Sequence, residues 1–217
     1  MLSHIKALIY KDLLLDFRQL FGLGGVFLYV FSSFFIVFLT FGEVVGATWI
    51  TLFWIVVLFG SVNAVLKSFA QEDDNRNIYY YTLTDPVAIV LSKLFYNTLL
   101  VLLISGLSLL LFSLLTSYPI QETGFFVLAL VLGAMGIASN FTFVSAIAKH
   151  TRNKSTMMMI LSLPVIIPLL LPLVRLSVKC LGPATWAMIQ SDVTLLVSVD
   201  LLIMGLALVL FPFLWKG

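Results

Sequence analysis

The charged residues of this chain are spaced so that they leave six long uncharged runs, at 19–42, 44–66, 94–121, 123–148, 155–174 and, with one interruption, 193–215. Each reaches the ~20 residues that a helix needs to cross ~30 Å of hydrocarbon. Backbone N–H and C=O groups find no partners in lipid, so an open sheet or an irregular loop cannot occupy such a run. A membrane barrel would need apolar and polar residues to alternate over ~10-residue strands. Runs such as Phe34-Phe35-Ile36-Val37-Phe38-Leu39 do not alternate. The pattern predicts an all-α membrane protein, a six-transmembrane-helix bundle with spans about 20–41, 46–66, 94–117, 124–147, 156–174 and 193–214.

Composition excludes the soluble alternatives. Only 10% of the 217 residues are charged and 61% are hydrophobic, whereas soluble domains carry roughly 25% charged residues. A net charge of +2 without a basic cluster gives no footprint for nucleic acid. No Pro/Gly/Ser-rich linker or internal repeat divides the chain, so 1–217 reads as a single transmembrane domain of the helix-bundle type. Charges extend to Arg18 before the first apolar run, and no small-residue cleavage site follows, so the N-terminus reads as a retained segment and not as a cleaved signal.

Orientation follows from the bases. With the N-terminus inside, the cytoplasmic face collects Lys6, Lys11, Arg18, Lys67, Arg76, Lys93, Lys149, Arg152, Lys154 and Lys216, and the outer face keeps Arg175 and Lys179. Both termini are therefore expected in the cytoplasm. Residues before Arg18, with His4, Lys11 and Arg18 at heptad spacing, suit an interfacial helix leading into the first span.

The inner segment between spans two and three is the most distinctive. It presents Glu72, Asp73 and Arg76, then Tyr79, Tyr80 and Tyr81, and closes on Asp85 and Pro86. Ile78 to Leu83 suit a short coupling helix at the membrane surface. Two readings stand: a solvated loop with an aromatic belt, or a docking element for a cytoplasmic partner.

Three further features carry candidate chemistry. Pro164, Pro168 and Pro172 recur at four-residue steps in span five, each removing a backbone N–H; they mark a bent structural helix, a hinge or a pathway lining. Asp200 is the one acid inside a span, roughly 12 Å from the outer end of the sixth run; it either hydrogen-bonds a neighbouring helix or serves function. Asn63, Asn97 and Asn140 suit interhelical hydrogen bonds, and Ala129, Gly133, Gly136 and Ser139 form a small-residue face on span four that suits close packing.

Some absences narrow the class. The sequence has no GxxxxGK[ST] phosphate loop and no Ser/His/Asp or Cys/His set, so an enzyme or an ATP-binding subunit is not expected. The single cysteine, Cys180, permits no intrachain disulfide and reads as a small apolar residue.

The span count, the N-terminal interfacial helix and the loop helix resemble the permeases of type-2 ATP-binding-cassette exporters. Leu83-Thr84-Asp85-Pro86-Val87-Ala88-Ile89-Val90-Leu91-Ser92-Lys93 and Leu161-Ser162-Leu163-Pro164-Val165-Ile166-Ile167-Pro168-Leu169-Leu170 resemble the third-span entry and the fifth span of the cytochrome c maturation permease, haem exporter protein B. Where that family's inner loop is expected to carry a glycine and then an acid, this chain reads Asn75-Arg76-Asn77.

The resemblance implies a multi-pass protein of the bacterial inner membrane, without a cofactor of its own. It implies a partner ABC ATPase that uses ATP at the cytoplasmic face, other cytochrome c maturation membrane partners and a haem chaperone, with a homodimer as a candidate assembly. Haem is either the cargo, or ATP hydrolysis releases the loaded chaperone. No outward histidine is expected, and Trp49 and Trp186 stand alone on the outer side, which leans toward release. A type-2 exporter permease for a drug or lipid-linked glycan, and a non-transporting membrane scaffold, remain the alternatives.

Overall fold

In the computed structural model the described residues are 8–10, 20–70, 86–148 and 154–216. Among them there are six long helices and no strand: α1 (Leu20–Phe41), α2 (Gly46–Ala70), α3 (Pro86–Leu115), α4 (Thr123–Ala148), α5 (Lys154–Lys179) and α6 (Trp186–Lys216). Each of the six is long and apolar enough to cross a membrane. Residues 8–10 are helical; the rest of the expected interfacial helix, and the expected coupling helix, lie outside the described residues.

The helices end where local chemistry allows it. Gly42 closes α1 with a positive φ of 63°, and its N–H donates to Phe38 O at 2.9 Å. A glycine is needed there, because other residues adopt this left-handed cap at a cost. Thr116 N–H donates to Phe112 O as α3 ends, and Met188 N–H donates to Thr185 O as α6 begins.

Several helices outrun the uncharged runs that announced them. α3 begins at Pro86 and carries Lys93 as a buried residue, α5 continues through Arg175 to Lys179, and α6 starts at Trp186 ahead of Asp192. The physical reason at the last two is pairing: Lys179 Nζ lies 2.6 Å from Asp192 Oδ2 and donates to Met188 O at 2.7 Å. Two charges that neutralise each other no longer mark the helix ends.

α4 is the central helix. It packs against α2, α3, α5 and α6, and 72% of its apolar span is buried, against 17% for α1, which packs on α2 and α3. Small residues permit this. A methyl group added at Gly133 would sit 2.8 Å from the Trp54 ring and 2.9 Å from Leu173, so α2 and α5 approach the α4 backbone itself. Between apolar helices in lipid, association rests on such close van der Waals contact. Several buried hydroxyls are satisfied within their own helices, as in Ser61 to Val57 O, Ser105 to Val101 O and Ser177 to Leu173 O, whereas the buried Ser108 Oγ has no partner.

Candidate functional site: an acid in the bundle core

Asp200 is 8% exposed, about 21 Å along α6 from Trp186. That places it in the middle of the span, deeper than the sixth uncharged run suggested. Its carboxyl group lies on the backbone of α4 at Gly136: a methyl group there would meet Asp200 Oδ1 at 2.3 Å and Leu169 Cδ1 at 2.1 Å. The three helices α4, α5 and α6 thus meet at Gly136, Leu169 and Asp200.

Neither carboxyl oxygen of Asp200 has a hydrogen-bond partner. Asn140, four residues beyond Gly136 on α4, is fully buried and its Nδ2 and Oδ1 are also unpartnered. Unpaired buried polar atoms cost free energy, ~1–3 kcal/mol each, so such a pair in a native core calls for an explanation. The expected asparagine links divide three ways. Asn97 Nδ2 donates across to Thr142 Oγ1 at 2.9 Å, whereas Asn63 Nδ2 donates to Phe59 O of its own helix. Asn140 makes no link at all.

The three prolines do not share one surface. α5 stays helical through all of them; Pro164 and Pro168 face outward and Pro172 faces inward, on the side of Leu169 and Leu173. A four-residue step turns about 40° beyond a full turn, which carries the third proline round to the packed side. Asp200 therefore meets the face of α5 that bears Pro172.

At the end of the bundle where residues 42–45, 116–122 and 180–185 connect the helices, the interior is aromatic. Trp49 and Phe53 stack at 5.4 Å, and Phe112 and Phe126 close around both. The indole N–H groups are satisfied, Trp49 Nε1 by Thr116 Oγ1 and Trp54 Nε1 by Ser177 Oγ, each at 2.9 Å. Trp186 lies at the surface beside Phe125. Trp49 is thus a core residue and Trp186 an exposed one. The connections themselves are joined, since Gln121 and Glu122 N–H both donate to Cys180 O. Among the described residues no three His, Cys, Asp or Glu side chains come together as a metal site.

A protein-family model described as CcmB protein matches residues 3–214. The chain belongs to the CcmB family. It is accordingly a multi-pass membrane permease component of the haem export system for cytochrome c maturation, and not itself an enzyme. The match spans the whole bundle, which sets aside the drug exporter, glycan exporter and scaffold readings. No curated protein and no solved structure matches the chain.

Of the residues singled out for CcmB-type docking, Glu72, Asp73, Arg76, Tyr79, Tyr80, Tyr81 and Asp85 lie outside the described residues, and Pro86 is described only as the first residue of α3. Sequence reasoning did not pick out the Lys179–Asp192 pair, or Gly136 as the neighbour of Asp200. The signal for the first was present as opposite charges flanking a short turn; nothing in the sequence linked the second pair.

Proposed function

We propose that this CcmB-family chain works in the bacterial inner membrane with both termini in the cytoplasm. A cytoplasmic ABC ATPase docks where α2 ends and α3 begins, with Tyr79, Tyr80 and Tyr81 as its anchors, and hydrolysis there drives release of a haem-loaded chaperone on the outer side. Pro164, Pro168 and Pro172 let α5 flex in that cycle.

The observation that carries this reading is the packing of α4. At Gly133 and Gly136 the side chains of α2, α5 and α6 leave less room than a methyl group, far less than a porphyrin ring requires. A bundle closed this tightly is better suited to transmitting a movement than to passing haem through its middle. The docking end is supported by charge: the segments 71–85 and 149–153 join helices at the end opposite the aromatic cluster, and most of the bases fall there.

The test is a triple replacement of Tyr79, Tyr80 and Tyr81 by Ala, followed by purification from membranes. The variant should insert normally and lose the ATPase from the purified complex. Undiminished ATPase recovery would sink the docking assignment. In vesicles carrying the intact complex and the loaded chaperone, added ATP should free the chaperone without haem crossing the bilayer; haem accumulation across the bilayer would favour export.

A further inference from the structure

Four polar atoms are left without partners where α6 crosses α4: both carboxyl oxygens of Asp200 and both terminal atoms of the Asn140 amide. They are close in register. Asp200 Oδ1 rests on Gly136, and Asn140 follows Gly136 by four residues, which places it about 6 Å along α4 and about 40° round from it. Helical side chains lean toward the N-terminus of their helix. The Asn140 Cα–Cβ bond therefore points back along α4 toward the level of Gly136, on which the Asp200 carboxyl rests, while amide and carboxyl are not hydrogen-bonded to each other.

The chemistry of the two groups is complementary in one protonation state only. An amide offers N–H donors and a carbonyl acceptor; a carboxylate offers acceptors alone; a carboxylic acid offers one donor and one acceptor. We propose that Asp200 and Asn140 form a proton-binding site at the α4–α6 crossing. One bound proton lets Asp200 donate to Asn140 Oδ1 while its second oxygen accepts from Asn140 Nδ2, and all four unpartnered atoms are satisfied together. Loss of that proton turns two acceptors toward each other and loosens α6 from α4, so the ligand of this site is a proton and its occupancy is tied to the packing at Gly136.

The surrounding charges do not supply an alternative partner. α4 carries no ionisable side chain along its length. On α5, Arg175 and Lys179 lie near the aromatic end, and Lys179 is held by Asp192 of α6. α3 contributes Lys93 and Tyr96, both buried, with Lys93 engaged in an interaction of its own.

The test is infrared spectroscopy on the full-length protein in lipid nanodiscs. A carboxylic-acid carbonyl band should be present in the wild type, vanish in Asp200→Asn and move in frequency in Asn140→Leu. Asp200→Asn keeps a donor and an acceptor facing Asn140, so it should fold as stably as the wild type and serve as the control. If Asn140→Leu does not fold, Asn140→Gln and Asn140→Ser shift the amide or remove it at smaller volume and should move the same band. A spectrum in which no acid band depends on Asp200 at any pH where the protein is folded would overturn the proposal. So would an Asp200 band that ignores every change at Asn140.

Discussion

The Asp200 carboxyl group lies against the α-carbon of Gly136, so near that a methyl group added there would meet Oδ1 at 2.3 Å. Leu169 closes the same point from the other side at 2.1 Å. Gly136→Ala must therefore displace two buried side chains, and overpacking of this kind costs ~1–3 kcal/mol or more. Thermal unfolding of the purified protein should show the loss, while Gly124→Ala, at a position with nothing within 4 Å, should unfold near the wild-type temperature. Adding Asp200→Ala to Gly136→Ala should restore part of the stability, because it removes one of the two obstacles. No recovery would mean that Leu169 alone sets the limit.

Activity should separate from stability at the same residue. Asp200→Asn is expected to leave the unfolding temperature unchanged and to lower the yield of c-type cytochromes severalfold in cells that depend on this permease. A normal yield would return the acid to a packing role.

The Lys179–Asp192 pair is lopsided, with side chains 39% and 5% exposed respectively. Lys179→Met leaves a nearly buried carboxylate without its partner and should cost ~1–3 kcal/mol. Asp192→Asn leaves Lys179 in contact with water and with Met188 O, and should cost less than ~1 kcal/mol. Chemical unfolding of the two variants side by side checks the asymmetry; equal losses would contradict it.

Cys180 is fully buried, and burial, aided by the negative charge of Glu122, pushes its thiol from 9.0 up to about 11. The neutral thiol is the unreactive form. Maleimide labelling of the folded protein should be slow at neutral pH and become fast on denaturation, and Glu122→Gln should speed labelling in alkali. The same shift has a consequence for stability. Above pH 9.0 the unfolded thiol releases its proton while the folded one keeps it until about pH 11, so stability falls as pH rises through that window. Cys180→Ala should flatten that part of the profile.

Trp54 Nε1 donates to Ser177 Oγ, which in turn donates to Leu173 O. Trp54→Phe deletes the donor and also withdraws the ring edge that packs on Gly133, for a loss of ~1–3 kcal/mol. Because the two hydroxyl bonds form a chain, Trp54→Phe and Ser177→Ala should be non-additive when combined, a point that a double-mutant cycle on unfolding temperatures decides.

The number and order of the helices were legible in the sequence because charge is scarce and punctuates apolar runs cleanly. The ends were less legible. Lys179 and Asp192 look like two boundaries until folding brings them to 2.6 Å, and a local reading has no access to that pairing. The small-residue face of α4 could be read as a packing surface, but which neighbours use it depends on the crossing of α2, α5 and α6, which only the folded chain supplies. Asp200 could be picked out as an anomaly; Asn140 could be picked out only as a candidate interhelical link, since an asparagine bonded across helices and one left without a partner are the same letter. The prolines look equivalent in spacing and differ in facing because four residues are not a whole turn.

The aromatic end of the bundle has a mechanical meaning for an energised permease. There the stacked rings, the two indole bonds, the Gln121 and Glu122 bonds to Cys180 O and the Lys179–Asp192 pair hold α2, α3, α4, α5 and α6 to one another. On the docking proposed above, the force of an ATPase at the far end acts on helices clamped at their tips. They then behave as levers with a common fulcrum, with the largest displacement nearest the motor and the clamped tips rotating almost in place.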